Sequence, residues 1–344
     1  MRAASASQHA GSATLDSVAA RNFLHIANGT ATTRHFAPAG IPGRTSIWAD
    51  PLHEGRVPAG VADYELVGIR SGFLSNDGTI PVDPINELGR WRSVIERRDY
   101  DELVLWYEHD LFDQLNLLQL LSYLASRGLD AQNVSLICIG SFPGRPAFKG
   151  LGELTPREIA PLLDERQPVT RAQYTLAAEA WEAFRAPNPT AIEAVVRKDT
   201  SALPFLAAAL HRFLEDYPWT IDGLSRTERR LLQLAHDPIK LWTAFPKMHE
   251  GETAYYVTDG SLGEIATDLS SAIPPLLTLD AVATPKEPLP RGTIASTPFG
   301  REVLNRQADR ITRCGIDRWM GGVHLEGTGP LWRWDPDNEQ LTVQ

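Results

Sequence analysis

Four short apolar runs limit what this chain can fold into. They are Phe23-Leu24-His25-Ile26-Ala27, Thr45-Ser46-Ile47-Trp48-Ala49, Leu103-Val104-Leu105-Trp106-Tyr107 and Val134-Ser135-Leu136-Ile137-Cys138-Ile139. Each is strand length, rich in β-branched or aromatic residues, and nearly continuous rather than alternating. A strand reads this way when both its faces are buried, as in a parallel sheet covered by helices on either side. Between the third and fourth runs, Phe112, Leu115, Leu118, Gln119 and Ser122 recur near helical spacing, and Arg127-Gly128 ends the helix. That order predicts a βαβ unit, and residues 21–150 are expected to form a Rossmann-like α/β domain.

After Gly150 the pattern becomes helical. Thr155-Pro156-Arg157-Glu158, Thr170-Arg171-Ala172-Gln173 and Thr190-Ala191-Ile192-Glu193 each place a capping hydroxyl three residues before a side chain that can return to the cap. A further helix is expected over 203–217, with Leu206, Leu210, Phe213 and Leu214 on one face and Pro218 after its end. Residues 151–220 are therefore read as a helical segment. Ser225-Arg226-Thr227-Glu228 opens a third unit, with helices expected near 239–249 and 259–270, a hairpin with a long proline-rich tip, and a long helix from Thr297. This is the element order of a winged helix-turn-helix, expected over 221–344. Residues 1–20 are small and polar without an apolar period, and are expected to be a flexible leader.

Composition narrows the function classes. The chain has 344 residues, 43% of them hydrophobic and 22% charged, which suits two or three globular domains rather than a disordered or fibrous chain. Cys138 and Cys314 are the only cysteines, so a disulfide framework or a thiolate metal site has nothing to build on. No run approaches a membrane span and no apolar signal segment is visible, so a cytoplasmic protein with no membrane partner is expected. A formal charge of −10 repels nucleic acid over most of the surface. The helix near 259–270 carries Asp259, Glu264 and Asp268 with no Lys or Arg, so DNA reading through it is not expected. Arg306, Arg310 and Arg313 share one face of the expected long helix, which reads as a phosphate-contacting or merely solvated stripe.

In open parallel sheets ligands gather at the carboxyl ends of the strands, and here those ends are polar. The first run leads into Asn28-Gly29-Thr30, the second into Asp50-Pro51-Leu52-His53-Glu54-Gly55, the third into Glu108-His109-Asp110 and then Asp113-Gln114, and the fourth into Gly140-Ser141. The candidate catalytic residues are His25, His53, Glu54, Glu108, His109, Asp110 and Asp113, and the candidate ligand-binding residues are Asn28, Gly29, Gln114 and Ser141. Carboxylates brought together need a cation, a basic ligand or raised pKa values. Imidazole and carboxylate donors suit zinc, manganese or magnesium, with Asp50, His53, Glu108 and Asp110 as the expected ligands. The metal-free alternative is acid–base work by His53 or His109, with Glu54 or Asp110 fixing the tautomer. Structural roles compete with each of these: a helix-capping cluster at 108–110, a polar turn at 50–55, and a hydrogen-bonded core position for His25. The tail, from Gly315 through Trp319, Gly321-Gly322 and His324 to Trp332 and Trp334, is too aromatic to be left in water and is expected to dock on the body.

Three of these segments resemble a bacterial family catalogued as domain of unknown function 1835. They are His25 with Asn28-Gly29, Trp48 to Gly55, and Trp106 to Gln114, and the likeness covers about residues 22–150. Thr30 stands where that family usually has Asp, and Arg56 where it often has Pro. The resemblance implies a family rather than a reaction. Two functions are expected from the residues: a metal-assisted hydrolase or phosphoryl or nucleotidyl transferase acting on a small or nucleotide-like molecule at the sheet edge, or a ligand sensor whose winged unit contacts DNA or a protein.

Overall fold

The computed structural model describes residues 21–77, 83–281 and 289–344. The expected leader, 1–20, and the tip of the expected wing, 282–288, lie outside the described residues. Strand β1 (Phe23–Ala27) is buried along its whole length, because it divides its side chains between two cores. Leu24 and Ile26 enter the larger core and Phe23 and Ala27 the smaller, so neither face tolerates a polar residue without a partner. After α1 (Thr30–Thr33), strand β2 (Arg44–Ile47) pairs with β1 in parallel, two residues shorter at its far end than the apolar run predicts. Two helices, α2 (Asp63–Asp77) and α3 (Pro84–Glu96), then lead to β3 (Glu102–Glu108), which lies parallel to β1 on its other side.

The expected βαβ unit is present as β3, α4 (Leu111–Ser126) and β4 (Val134–Ile139), with the two strands parallel. Gly128, at a φ of +62°, turns the chain out of the helix. After the single-turn helices α5 (Pro156–Ile159) and α6 (Leu162–Glu165), the two-residue strand β5 (Gln167–Pro168) adds an antiparallel edge. The sheet order is β2-β1-β3-β4-β5. The chain therefore leaves β1 in one direction and returns across it to β3, and the crevice between the carboxyl ends of those two strands is where such sheets hold ligands.

Helices α7 (Arg171–Arg185), α8 (Thr190–Val196) and α9 (Leu206–Leu214) follow, and their buried faces continue the larger core without a break. Thr170 and Gln173 make the expected capping box. Thr190 does not cap α8: it is the first helical residue, Asn188 accepts from its backbone N–H at 3.1 Å, and Glu193 instead accepts from the backbone of Leu341 at 2.7 Å. The third unit runs α10 (Arg226–Leu234), β6 (Ile239–Lys240), α11 (Leu241–Met248), α12 (Asp259–Ser271), β7 (Leu277–Leu279) and β8 (Thr293–Ser296), with its strands in a small antiparallel sheet of order β6-β8-β7.

The long helix expected from Thr297 is two short ones, α13 (Pro298–Leu304) and α14 (Arg310–Cys314), so the arginine stripe is broken. Arg306 sits between them at a φ of +61°, Arg310 is buried against Glu228 at 3.5 Å, and Arg313 lies over the Phe299 ring. Hairpins β9–β10 (Ile316–Met320 and Val323–Gly327) and β11–β12 (Trp332–Asp335 and Gln340–Val343) form the tail, which docks as expected. Gly322 presses on the carbonyl of Arg185 so closely that a Cβ would overlap it, and Gly321 accepts from the backbone of Val57 at 2.9 Å. The β9–β10 turn is thus wedged between the end of α7 and the segment that follows β2. Among the described residues no helix is long and apolar enough to cross a membrane.

Candidate functional site

The crevice between β1 and β3 is built around Asn28, the first polar residue after β1. Its amide donates to Asp113 Oδ2 at 2.6 Å and to Glu108 Oε2 at 3.3 Å. Glu108 is the last residue of β3, and its Oε1 accepts from the backbone of Leu151 at 2.5 Å, an approach open only because Gly150 has no Cβ. Asp110 caps α4 by accepting from the backbone of Asp113 at 2.9 Å, while Asp113 Oδ1 accepts from the backbone of Glu108 at 2.8 Å. Capping and clustering coexist here: Glu108, Asp110 and Asp113 each bring a carboxylate oxygen within 4.8 Å of the others.

No Lys or Arg forms an ion pair with this cluster among the described residues, and the carboxyl groups hold their protons unusually tightly. Burial, then the Asp110 charge, pushes Glu108 up to about 8. Burial pushes Asp110 up to about 6, opposed by hydrogen bonds and by His53. Asp113 is pushed well above the ordinary carboxylate range by burial and by its two acidic neighbours. Near neutral pH the cluster therefore retains protons or takes up a cation.

The loop after β2 behaves differently. Both oxygens of Asp50 accept from the buried guanidinium of Arg70, at 2.7 to 3.1 Å, and Arg70 also donates to the carbonyls of Pro51 and Glu54. Asn116 grips the Asp50 backbone from α4, accepting at 2.8 Å and donating at 2.9 Å. The expectation of Asp50 as a metal ligand is corrected: its charge is matched by a neighbour and its side chain braces the loop. That bracing aims His53 and Glu54 into a cavity of about 430 Å³ between the sheet edge, α9, α12 and the tail hairpin. His53 is only 8% exposed, packs edge-on to Tyr255 and Phe112, and has no hydrogen-bond partner at either ring nitrogen. Its nearest charged group is Glu54, 3.5 Å from Nε2. Burial disfavours the Glu54 charge, but His53, Ser261 and Arg70 outweigh it and hold the carboxyl below its ordinary value.

The remaining candidates are scattered. His109 lines a separate cavity of about 450 Å³ with Lys149, His249 and Tyr256, its Nε2 being 3.4 Å from the Tyr256 hydroxyl. Burial lowers its pKa, so the imidazole is neutral at pH 7. His25 is corrected to a core residue: Nε2 lies 2.9 Å from the Pro42 carbonyl and Nδ1 accepts from Trp106 at 3.1 Å, which leaves no nitrogen for chemistry. Gln114 donates to the Glu108 carbonyl at 2.6 Å and to Cys138, and so secures the strand end rather than facing either cavity. Gly29 precedes α1, and Ser141 is exposed beyond β4. Of the expected metal set, Glu108 and Asp110 come together with Asp113; Asp50 and His53 do not join them, Asp50 being held by Arg70 and His53 facing the cavity beside Glu54.

Two wall residues, Tyr255 and Ser261, escaped the sequence reading. Arg318 and Asp317, which the tail could bring to the main site, do line the His53 cavity with them, as does Asp268, and Arg318 donates to the buried Glu228 at 2.5 Å. The adjacent tyrosines Tyr255-Tyr256 are the one local signal that could have marked this segment. Searches against protein-family models and against curated protein sequences match nothing to this chain.

Proposed function

We propose that the protein is an enzyme, a hydrolase or group transferase, in which His53 and Glu54 form an acid–base pair acting on a small molecule in the adjoining cavity. One observation carries this reading: His53 is buried in the cavity wall with Nδ1 lacking any partner and Nε2 facing only the Glu54 carboxylate, 3.5 Å away. Buried polar atoms are normally satisfied, and one that is not is held for something that enters. Glu54, kept ionised beside it, would orient the ring and stabilise its protonated form while His53 removes a proton from water or a substrate hydroxyl. The test is turnover of a panel of chromogenic esters, amides and phosphomonoesters by the wild type and His53→Gln. A loss of roughly 10²–10⁴-fold with an unchanged circular dichroism spectrum is expected; equal turnover refutes the pair.

The carboxylate cluster supports a second, metal-dependent reading at the sheet edge, apart from the His53 cavity, which none of its three residues lines. Three hard oxygen donors within 4.8 Å suit magnesium or manganese, which would neutralise the cluster and polarise a phosphoryl or carbonyl oxygen. Manganese titrated into the wild type and into Asp113→Asn decides this, since binding lost in the variant is expected. The order of helices and strands from α10 to β8 also supports a winged-helix reading of the third unit. In that reading α12 would be the recognition helix, but Ser261, Ile265 and Asp268 turn it toward the cavity, which favours ligand sensing over DNA contact.

A further inference from the structure

We propose that the cavity beside His53 takes an organic cation: an amine, amidine or quaternary ammonium group carried on an apolar or aromatic body. This rests on reading the cavity as the functional site, and it narrows the small or nucleotide-like ligand expected from sequence to one chemical class. The volume, about 430 Å³, is that of a small-molecule site. Much of the wall is apolar or aromatic, with Phe73, Leu111, Phe213, Ile265 and Met320 offering surface to a ligand body rather than to an ion alone.

The charged part of the wall is predominantly acidic. Glu54, Asp216, Glu264, Asp268 and Asp317 line the cavity against only two guanidinium groups, Arg56 and Arg318. Arg318 is already engaged by Glu228, which is buried and ionised behind the wall. Asp216 in turn is held by Arg212 at 2.9 Å, so it contributes less than its formal charge. Glu54 lies next to His53, and the arginine beside it, Arg70, spends its charge on Asp50. At the rim, Trp319 is occupied by the Arg56 guanidinium, 4.9 Å from its ring centroid, and by the stacked ring of His324, so the ligand's positive charge is left to the carboxylates rather than to this ring. Phosphates and carboxylates entering this space meet charge of their own sign. An organic cation meets opposite charge with its head and apolar surface with its body.

Benzamidine, benzamide and benzoate have nearly the same size and shape and differ in charge, so calorimetric titration of each into the full chain isolates the electrostatic preference. Benzamidine is expected to bind one per chain and at least about tenfold more tightly than benzamide, with benzoate weakest and the preference shrinking in high salt. Glu54→Gln should weaken benzamidine about tenfold and the rim substitution Asp317→Asn about twofold. Because Asp317 is exposed, that variant and the salt series keep the test decisive if Glu54→Gln does not fold. Equal affinities, a preference for benzoate, no binding of benzamidine, or benzamidine binding that neither substitution changes would each overturn the proposal. Turnover by His53→Gln is read separately. A benzoate preference alongside lost turnover defeats only the cation class, whereas benzamidine selectivity alongside intact turnover defeats only the acid–base pair.

Discussion

Asp50 and Glu108 are carboxylates at the same edge of one sheet, 2% and 5% exposed, yet they lie in opposite electrostatic surroundings. Asp50 has a guanidinium across both oxygens and an asparagine clamping its backbone. Glu108 has an asparagine amide, one backbone N–H and two further carboxyl groups. A buried acid matched by a cation braces the chain whatever the solution contains. A buried acid among other acids has a state that depends on protons or metal ions, and this is the kind of group that chemistry requires. The two loops thus divide the work: the one after β2 spends its acid on rigidity and so presents His53, and the one after β3 keeps its acids responsive.

The largest expected effect tests the braced side. Arg70→Met leaves the Asp50 charge buried without its partner and should cost about 3–5 kcal/mol in urea denaturation, most of it recovered in the double variant Arg70→Met/Asp50→Asn. A loss under about 1 kcal/mol would mean the two loops are not different in kind. The next prediction concerns the responsive side. Glu108 has a folded-state pKa of about 8, above its unfolded value, so between roughly pH 4.5 and 8 the folded chain binds a proton the unfolded chain has lost. Its contribution to stability is therefore complete at the acidic end of that window and is lost as pH rises through it, a change of a few kcal/mol at most. Glu108→Gln should flatten that slope, and saturating manganese should do the same in the wild type; a slope unchanged by both would remove the responsive character. The smallest effect separates the two buried histidines. His25→Leu strands the Trp106 N–H and the Pro42 carbonyl and should cost about 1–3 kcal/mol, whereas His53→Leu strands only the Glu54 carboxyl, which keeps Ser261 and Arg70 beside it, and should cost less than His25→Leu.

The parallel sheet and α4 were legible because burial on both faces leaves a continuous apolar run, a signal that survives without knowledge of the partners. Capping boxes at Thr155, Thr170 and Ser225 were legible for the same reason: cap and returning side chain lie three residues apart. The fate of each polar residue was not, since it is decided across the chain. His25 and His53 look alike in sequence, yet Trp106 and Pro42 satisfy both nitrogens of the first, while the second has only Glu54, 3.5 Å from one nitrogen. Arg70 sits among Leu66, Val67, Phe73 and Leu74 on its helix, and nothing in those neighbours announces that it claims Asp50, twenty residues away. The arginine stripe failed because Arg306 takes a left-handed conformation that ends α13, a departure nothing in the neighbouring residues announces. The tryptophans of the tail did announce docking. What they left open was that Trp319 would face the same space as His53.

The paired glycines of the β9–β10 turn have a consequence for how the cavity comes into being. Because Gly321 and Gly322 lodge between Val57 and the end of α7, the wall formed by Arg318, Trp319 and Met320 is delivered by one of the longest-range contacts in the chain. Joining partners so far apart carries a loop-closure cost that the seated turn has to offset. The recess beside His53 therefore owes one side to a segment more than 250 residues away, and a substitution that unseats Gly321 or Gly322 would open it without touching any group inside.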